Sequence, residues 1–269
     1  MTIIIRHKHL IALGIEPRQI RSGSASTKDE VEYISIEKSH LLNKDINTLY
    51  IAIAFAEMDK EGRYTININS LLKLITKKVV TRERNALYAS FQRLANAKII
   101  IKSDENERIE FSLLEHVNYE DKQCQLLLYK VAKPSTTAVF TINPLLENLF
   151  NKETVTKLKR HKNCEKDDLI PRIDDLTMNF LFYLSNLSKD EIYYDKLTQQ
   201  IDTFLNMKLS INHVTRSRYS KRIFKSVVAN QLFLLIIGLE ITSTRPNREV
   251  LLPTSRKEDF LLSYNHLYC

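Results

Sequence analysis

Residues able to do covalent or metal chemistry are few in this sequence, and their spacing suits none of the usual devices. His7 and His9 could hold a divalent ion beside a tyrosine nucleophile, as in a strand-nicking endonuclease. Lys8 stands between them, however, and no carboxylate partner is near, so the stretch reads better as a basic arm. His161 and Cys164 have ligand-like spacing, but no second pair exists to complete a tetrahedral zinc site. Asp167-Asp168, Asp174-Asp175 and Asp190-Glu191 are adjacent acids, which do not face one another on a helix. They fit solvated helix starts, where negative charge is favoured. Cys124, Cys164 and Cys269 are odd in number and far apart, which is no disulfide framework and fits a reducing cytoplasm. The four glycines, Gly14, Gly23, Gly62 and Gly238, are too dispersed for a phosphate-cradling loop. Neither an enzyme nor a bound cofactor or metal is expected.

The cations are better organised. Lys and Arg number 40 against 32 acids, a formal charge of +8 that favours a polyanionic partner such as nucleic acid. On a helical wheel from Arg216 to Val228, Tyr219, Ile223, Phe224, Val227 and Val228 occupy one half. Arg218, Lys221, Arg222 and Lys225 crowd the other over roughly 100°. Arg216 and Arg218 in the first turn oppose the helix dipole, a conflict that an arriving phosphate or guanine edge would relieve. Arg245 and Arg248 flank Pro246-Asn247, a hairpin tip able to reach phosphate or a minor groove. Between Thr81 and Lys98, Leu87, Phe91, Leu94 and Ala95 form a packing face, with Arg82, Ala86, Ala89 and Arg93 opposite. Arg82, Arg84 and Asn85 are its stronger candidates for DNA contact, Asn85 toward adenine; Arg93, near the C-terminal end, could equally complement the dipole.

The elements that would position these residues form two similar runs. Residues 1–30 read as an arm and a small, polar linker (Arg21 to Glu30), and 31–150 as a first domain. Its helices are expected at Asp45 to Met58, Ser70 to Lys77 and Thr81 to Lys98, the last capped by Thr81. A turn at Glu61-Gly62 leads to a strand at Tyr64 to Ile68. Further strands are expected at Ile99 to Lys102, Arg108 to Val117, Gln123 to Val131 and Ala138 to Ile142, before a helix opened by Pro144. Residues 151–170 form a charged connection. The second domain, 171–269, repeats the order: helix Asp174 to Leu187, strand Ile192 to Tyr194, helices Asp195 to Leu205 and Arg216 to Ile237. A strand pair, Glu240 to Thr244 and Glu249 to Leu252, closes it. Shifting the chain by 134 positions lays Thr81-Arg82-x-Arg84 on Thr215-Arg216-x-Arg218 and Ala95-Asn96 on Ala229-Asn230. A long third helix followed by a β wing, twice over, gives the expected fold class: α+β, two tandem winged helix-turn-helix domains. The longest apolar stretch, Leu232 to Leu239, cannot span a bilayer, and the N-terminus lacks the features of a signal peptide, so a soluble cytoplasmic protein is expected.

With Ser70-Leu71-Leu72 opening the second helix, the segment Ile109 to Leu114 and the phrase Phe140-Thr141-Ile142-Asn143-Pro144-Leu145-Leu146, the chain resembles the iteron-binding plasmid replication initiators, the Rep family. The likeness runs from about Lys44 to Leu252 and includes Arg216 to Lys225 with the following wing. It implies two domains in successive major grooves of double-stranded DNA at directly repeated origin sites. It further implies opening of an AT-rich segment and recruitment of the host initiator and helicase. Repression of the gene's own promoter as a homodimer, joined through β segments around Arg108 to Val131, would follow too. Carried over by position, Arg216, Arg218, Tyr219 and Arg222 would contact DNA in the second domain, and Arg82, Arg84 and Asn85 in the first. The thin positive charge of the first-domain helix departs from the family pattern and leaves open whether that domain reads bases or mainly dimerises. A tandem winged-helix transcription regulator and a winged-helix protein–protein adaptor are the rival readings, with a nicking enzyme last.

Overall fold

Asn43–Phe55 carries apolar residues all round, and a helix of that kind has to be surrounded by protein. In the computed structural model it is helix α2, and Asn43 and every residue from Asp45 to Ala54 are buried. The residues described are 5–14, 26–28, 32–37, 40–76, 79–103, 108–119, 137–152, 154–156, 159, 173–185, 197–208, 213–229, 239–241 and 251–253. Two units divide the chain, Met1–Lys159 and Arg160–Cys269.

The beginning of the first unit is not the basic arm its histidines suggested. Helix α1 (His7–Leu13) packs on α2, and Ile5, Leu10, Ile11, Ala12 and Leu13 are all buried. Burying side chains of Leu or Ile size contributes roughly 1.5–3 kcal/mol each, enough to dock even a seven-residue helix. Gly14 ends it where the chain touches α2: a Cβ there would lie 2.8 Å from Asn43 Oδ1 and 3.0 Å from Asn43 Cα. The two histidines are engaged separately. His7 Nδ1 lies 2.7 Å from the Tyr50 hydroxyl, within a ring cluster completed by Phe150, while His9 Nδ1 accepts the Arg6 backbone N–H at 3.1 Å. Among the described residues no three His, Cys, Asp or Glu side chains gather as a metal would need.

The expected linker contains a strand. Strand β1 (Ser26–Lys28) pairs with β2 (Glu32–Glu37), which pairs in turn with β5 (Lys98–Ser103), and β5 with β6 (Arg108–Phe111), all antiparallel. Ile99, Ile100 and Ile101 alternate across β5 yet are all buried, so both faces of this strand are covered. A second antiparallel sheet has the order β3 (Glu57–Met58), β4 (Tyr64–Asn67), β8 (Thr137–Ile142), β7 (Leu114–Tyr119). Gly62 takes φ +76° in the β3–β4 turn, where Asp59 accepts hydrogen bonds from the Glu61 and Arg63 backbones. The run from Arg108 to Val117, expected as one strand, thus divides between two sheets, with buried Phe111, Leu113 and Leu114 around the division. Gln123 to Val131 lies outside the described residues.

Helices α3 (Ile68–Thr76) and α4 (Thr81–Asn96) complete the unit. Val80, with extended backbone, is the N-cap of α4, and its apolar side chain makes no capping hydrogen bond; Thr81 is already the first helical residue. Phe91 of α4 meets Phe140 of β8 at 5.5 Å, and Tyr64 stacks on Phe140 from β4. A 3-10 helix, Pro144–Phe150, follows β8, its first turn capped by the Asn143 side chain. The sequence α2, β4, α3, α4, β7, β8, with β4 paired to β8, is a winged helix; the hairpin β5–β6 is inserted between α4 and the wing.

In the second unit Asp174 caps α5 (Asp175–Ser185), its carboxylate accepting from the Leu176 and Thr177 backbones and the Thr177 hydroxyl. The acid pair at 174–175 is a helix start, as its position suggested. Helices α6 (Leu197–Met207) and α7 (His213–Ala229) pack on it through Phe180, Leu184, Ile201, Phe204, Ile223 and Val227, all buried. Strands β9 (Leu239–Ile241) and β10 (Leu251–Pro253) form an antiparallel pair. Ile192 to Tyr194 and the hairpin tip at Arg245 to Arg248 lie outside the described residues, as does most of 151–170.

Candidate nucleic-acid interface

Helix α7 stands where a winged helix carries its reader. Tyr219, Ile223 and Val227, spaced by four, fix one face to the unit's core. The opposite arc, about 100° wide at 3.6 residues per turn, holds Ser217, Arg218, Lys221 and Lys225, and all four are exposed. No acid lies between His213 and Ala229, so three cations project from this arc without an acid on their own helix. Its first turns border a groove of about 450 Å³, formed by Arg216, Ser217, Ser220 and Lys221 with Asp202 and Asn206 of α6. Arg216 is half-buried there, and its Nε has no hydrogen-bond partner among the described residues.

Two residues expected to face DNA are engaged within the unit instead, one by burial and one by an ion pair. Tyr219 is buried, at 7% exposure, because it is the first anchor of α7. Its ring supports Arg222, whose guanidinium carbon sits 4.8 Å from the ring centroid and whose terminal nitrogen lies 3.2 Å from the Asp174 carboxylate. Arg222 therefore joins α7 to the start of α5 rather than projecting with Lys221 and Lys225.

Helix α4 holds the corresponding place in the first unit. Leu87, Ser90, Phe91 and Leu94 are buried; Thr81, Arg82, Asn85, Gln92 and Asn96 are exposed along one arc, with Ala89 half-buried among them. Arg93 is the clearest correction. Its Nε and a terminal nitrogen donate to the two carboxylate oxygens of Asp45 at 2.8 and 2.7 Å, and Asp45 has no solvent exposure. Asp45 also accepts from the Ser90 hydroxyl at 2.6 Å and the Leu42 backbone at 2.8 Å. The hydrogen bonds to Asp45 hold the Arg93 guanidinium above even its usual high pKa. This arginine fastens α4 to α2. Arg84 is likewise half-buried and donates to Asn69 of α3 at 2.8 Å.

Burial also corrects the internal repeat. A shift of 134 positions sets buried Tyr219 against exposed Asn85 and buried Val227 against Arg93. A shift of 136 positions, Arg82 onto Arg218, aligns buried Leu87 with Ile223 and buried Phe91 with Val227, and exposed Asn85 with exposed Lys221. Five sequence candidates thus project from the two equivalent arcs: Arg82, Asn85, Arg218, Lys221 and Lys225. Gln92, Asn96 and Ser217 share those arcs and were missed, although the same helical wheel would have found them.

No protein-family model matches the sequence, and no curated protein matches it. Solved structures do. A selenomethionine structure of domains 2 and 3 of RctB aligns with a TM-score of 0.56 at 11% identity, covering 93% of this chain and 97% of that one. A second structure of RctB domains 2–3, residues 155–483, aligns with a TM-score of 0.54 at 12% identity, covering 94% and 99%. Likeness over nearly the whole length of both chains establishes the fold as α+β with two winged-helix domains in tandem.

Proposed function

We propose that this chain is a sequence-specific double-stranded DNA-binding protein that initiates replication at directly repeated origin sites. Each unit would present its third helix to a major groove. The carrying observation is the exposed cationic arc of α7, Arg218, Lys221 and Lys225, on a helix whose other face is fixed by Tyr219, Ile223 and Val227. Cations held on a rigid element can meet phosphates and guanine edges together, whereas a mobile lysine must first be ordered. The protein acts in this reading by binding rather than by catalysis, and it requires no cofactor.

The iteron resemblance supplies the finer reading: cooperation with a host initiator and helicase, and repression of its own promoter by a dimer. Strand β6 ends its sheet among the described residues, which offers a second copy an edge to pair with.

The test is DNA binding across a salt series, using the protein's own flanking DNA and random duplex, with Lys221→Ala/Lys225→Ala alongside. Footprints over direct repeats are expected, with the slope of log K against log salt falling by about 0.9 for each phosphate contact removed. Weak binding, equal on all sequences and indifferent to both substitutions, would overturn the proposal and favour a protein–protein adaptor.

A further inference from the structure

The two third helices occupy equivalent places but present different chemistry. On α7 the outward arc is Ser217, Arg218, Lys221 and Lys225; on α4 it is Thr81, Arg82, Asn85, Ala89, Gln92 and Asn96. One arc has three cations and no amide, the other three amides and a single cation. The other two arginines of α4 are drawn inward by Asn69 and Asp45.

A helix face kept only for solubility is usually filled with Lys and Glu, which form good helices and pair at i, i+4. Asn is a poorer helix former, and amides contribute little to solubility. What amides do well is recognise an edge that offers both a donor and an acceptor. In the major groove that edge is adenine, whose N7 and N6 pair with Asn or Gln, while the thymine methyl beside it suits a small apolar contact. Asn85 and Gln92 are separated by about 10 Å along the helix axis, from seven steps of 1.5 Å. That matches roughly three base-pair steps of about 3.4 Å. Ala89 lies between them, small enough to let the backbone approach.

We infer that α4 is an A·T reader, with Asn85 and Gln92 taking adenine edges about three base pairs apart and Ala89 facing a thymine methyl. Helix α7 then supplies the guanine and phosphate contacts. The bound site is accordingly asymmetric, with an A·T-specified part under the first unit and a charge-dominated part under the second. This rests on the proposed DNA-binding function and adds which base pairs each unit selects.

The experiment is selection from a randomised duplex pool with the full chain, for the wild type, Asn85→Ala/Gln92→Ala and Asn85→Arg. Both substituted sites are exposed, and equal urea midpoints would show that the variants fold. The double variant is expected to lose the A·T preference in one segment of the selected site. Its affinity for the wild-type site should fall tenfold or more, its affinity for random duplex less than threefold, and its salt slope should stay unchanged. Asn85→Arg should move the preference at one position from A·T to G·C. Selected sequences that stay the same in all three proteins overturn this inference while leaving sequence-specific binding intact. A wild type that enriches no sequence overturns the DNA-binding proposal and this inference together.

Discussion

Arg93 and Arg218 are the same residue type on equivalent helices, and replacing each by alanine should have opposite consequences. Arg93 donates twice to a carboxylate that has no solvent exposure, whereas Arg218 is exposed on the outer arc of α7. Removing one partner of a buried ion pair typically costs about 3–5 kcal/mol, because the other charge is left in a poor dielectric without compensation. The Leu42 N–H and Ser90 hydroxyl would still serve Asp45, and Arg93 itself is 30% exposed. Those features place Arg93→Ala near the lower end, about 3 kcal/mol, or roughly 6–12 °C in Tm for a unit of this size. Arg218→Ala should stay within about 0.5 kcal/mol of wild type, as exposed substitutions usually do, while weakening DNA binding. Urea unfolding of the full chain, followed by far-UV circular dichroism, reads the first; a salt-dependent binding titration reads the second. The double variant Asp45→Asn/Arg93→Leu should recover at least half of the loss, since no unpaired charge remains. An Arg93→Ala protein as stable as wild type but binding DNA ten times more weakly would refute the assignment and return Arg93 to the proposed DNA-contacting surface.

Three other outcomes follow from the packing. Gly14→Ala should destabilise by about 1–3 kcal/mol in urea, the usual range for overpacking, because its Cβ would meet Asn43 Cα at 3.0 Å and Ile46 Cγ1 at 3.2 Å. No loss would mean that α1 is not seated against α2. Phe204→Ala, which empties the place of a ring in edge contact with Phe180, should cost about 3–5 kcal/mol in the second unit, and an unchanged urea midpoint would contradict that core. Burial lifts the Tyr50 hydroxyl far above its usual range, and burial followed by the charge of Glu147 lifts Tyr64 as well. Both are held protonated in the fold while unfolded tyrosines ionise. Stability is therefore full below about pH 10 and falls above it, by about 1.4 kcal/mol per pH unit for Tyr50. Tyr50→Phe should flatten that alkaline decline; an identical decline in the variant would assign it elsewhere.

Periodicity made the long elements legible. Leu87, Phe91 and Leu94 on α4, and Tyr219, Ile223 and Val227 on α7, are read correctly as packing faces because spacing by three and four is a local property of a helix. What escaped was set by distant partners. Strand β2 is held in the sheet by β5, some 66 positions on, and nothing within its six residues requires that pairing. The inward turn of Arg93 depends on Asp45, 48 residues away, so its sequence position alone leaves a surface role open. Helix α1 was hidden by composition: Arg6, His7, Lys8 and His9 outweighed the apolar set of Ile5, Leu10, Ile11 and Leu13. The internal repeat failed for a related reason. Identities favoured a shift of 134, but two positions amount to about 200° of helix rotation, enough to turn a buried face outward.

The placing of the β5–β6 hairpin between the third helix and the wing governs when the first unit can form during synthesis. Strand β2 must wait for β5, and β4 for β8, whose register sets Tyr64 opposite Phe140. Pairings of such separation incur a large loop-closure entropy before any contact rewards it, and they slow folding. Strand β2 remains without β5 until residues near 103 have left the ribosome, and β4 without β8 until residues near 142 have done so. The winged helix of the first unit should therefore close late as the nascent chain grows, after the sheet that contains β2 and β5 can already pair.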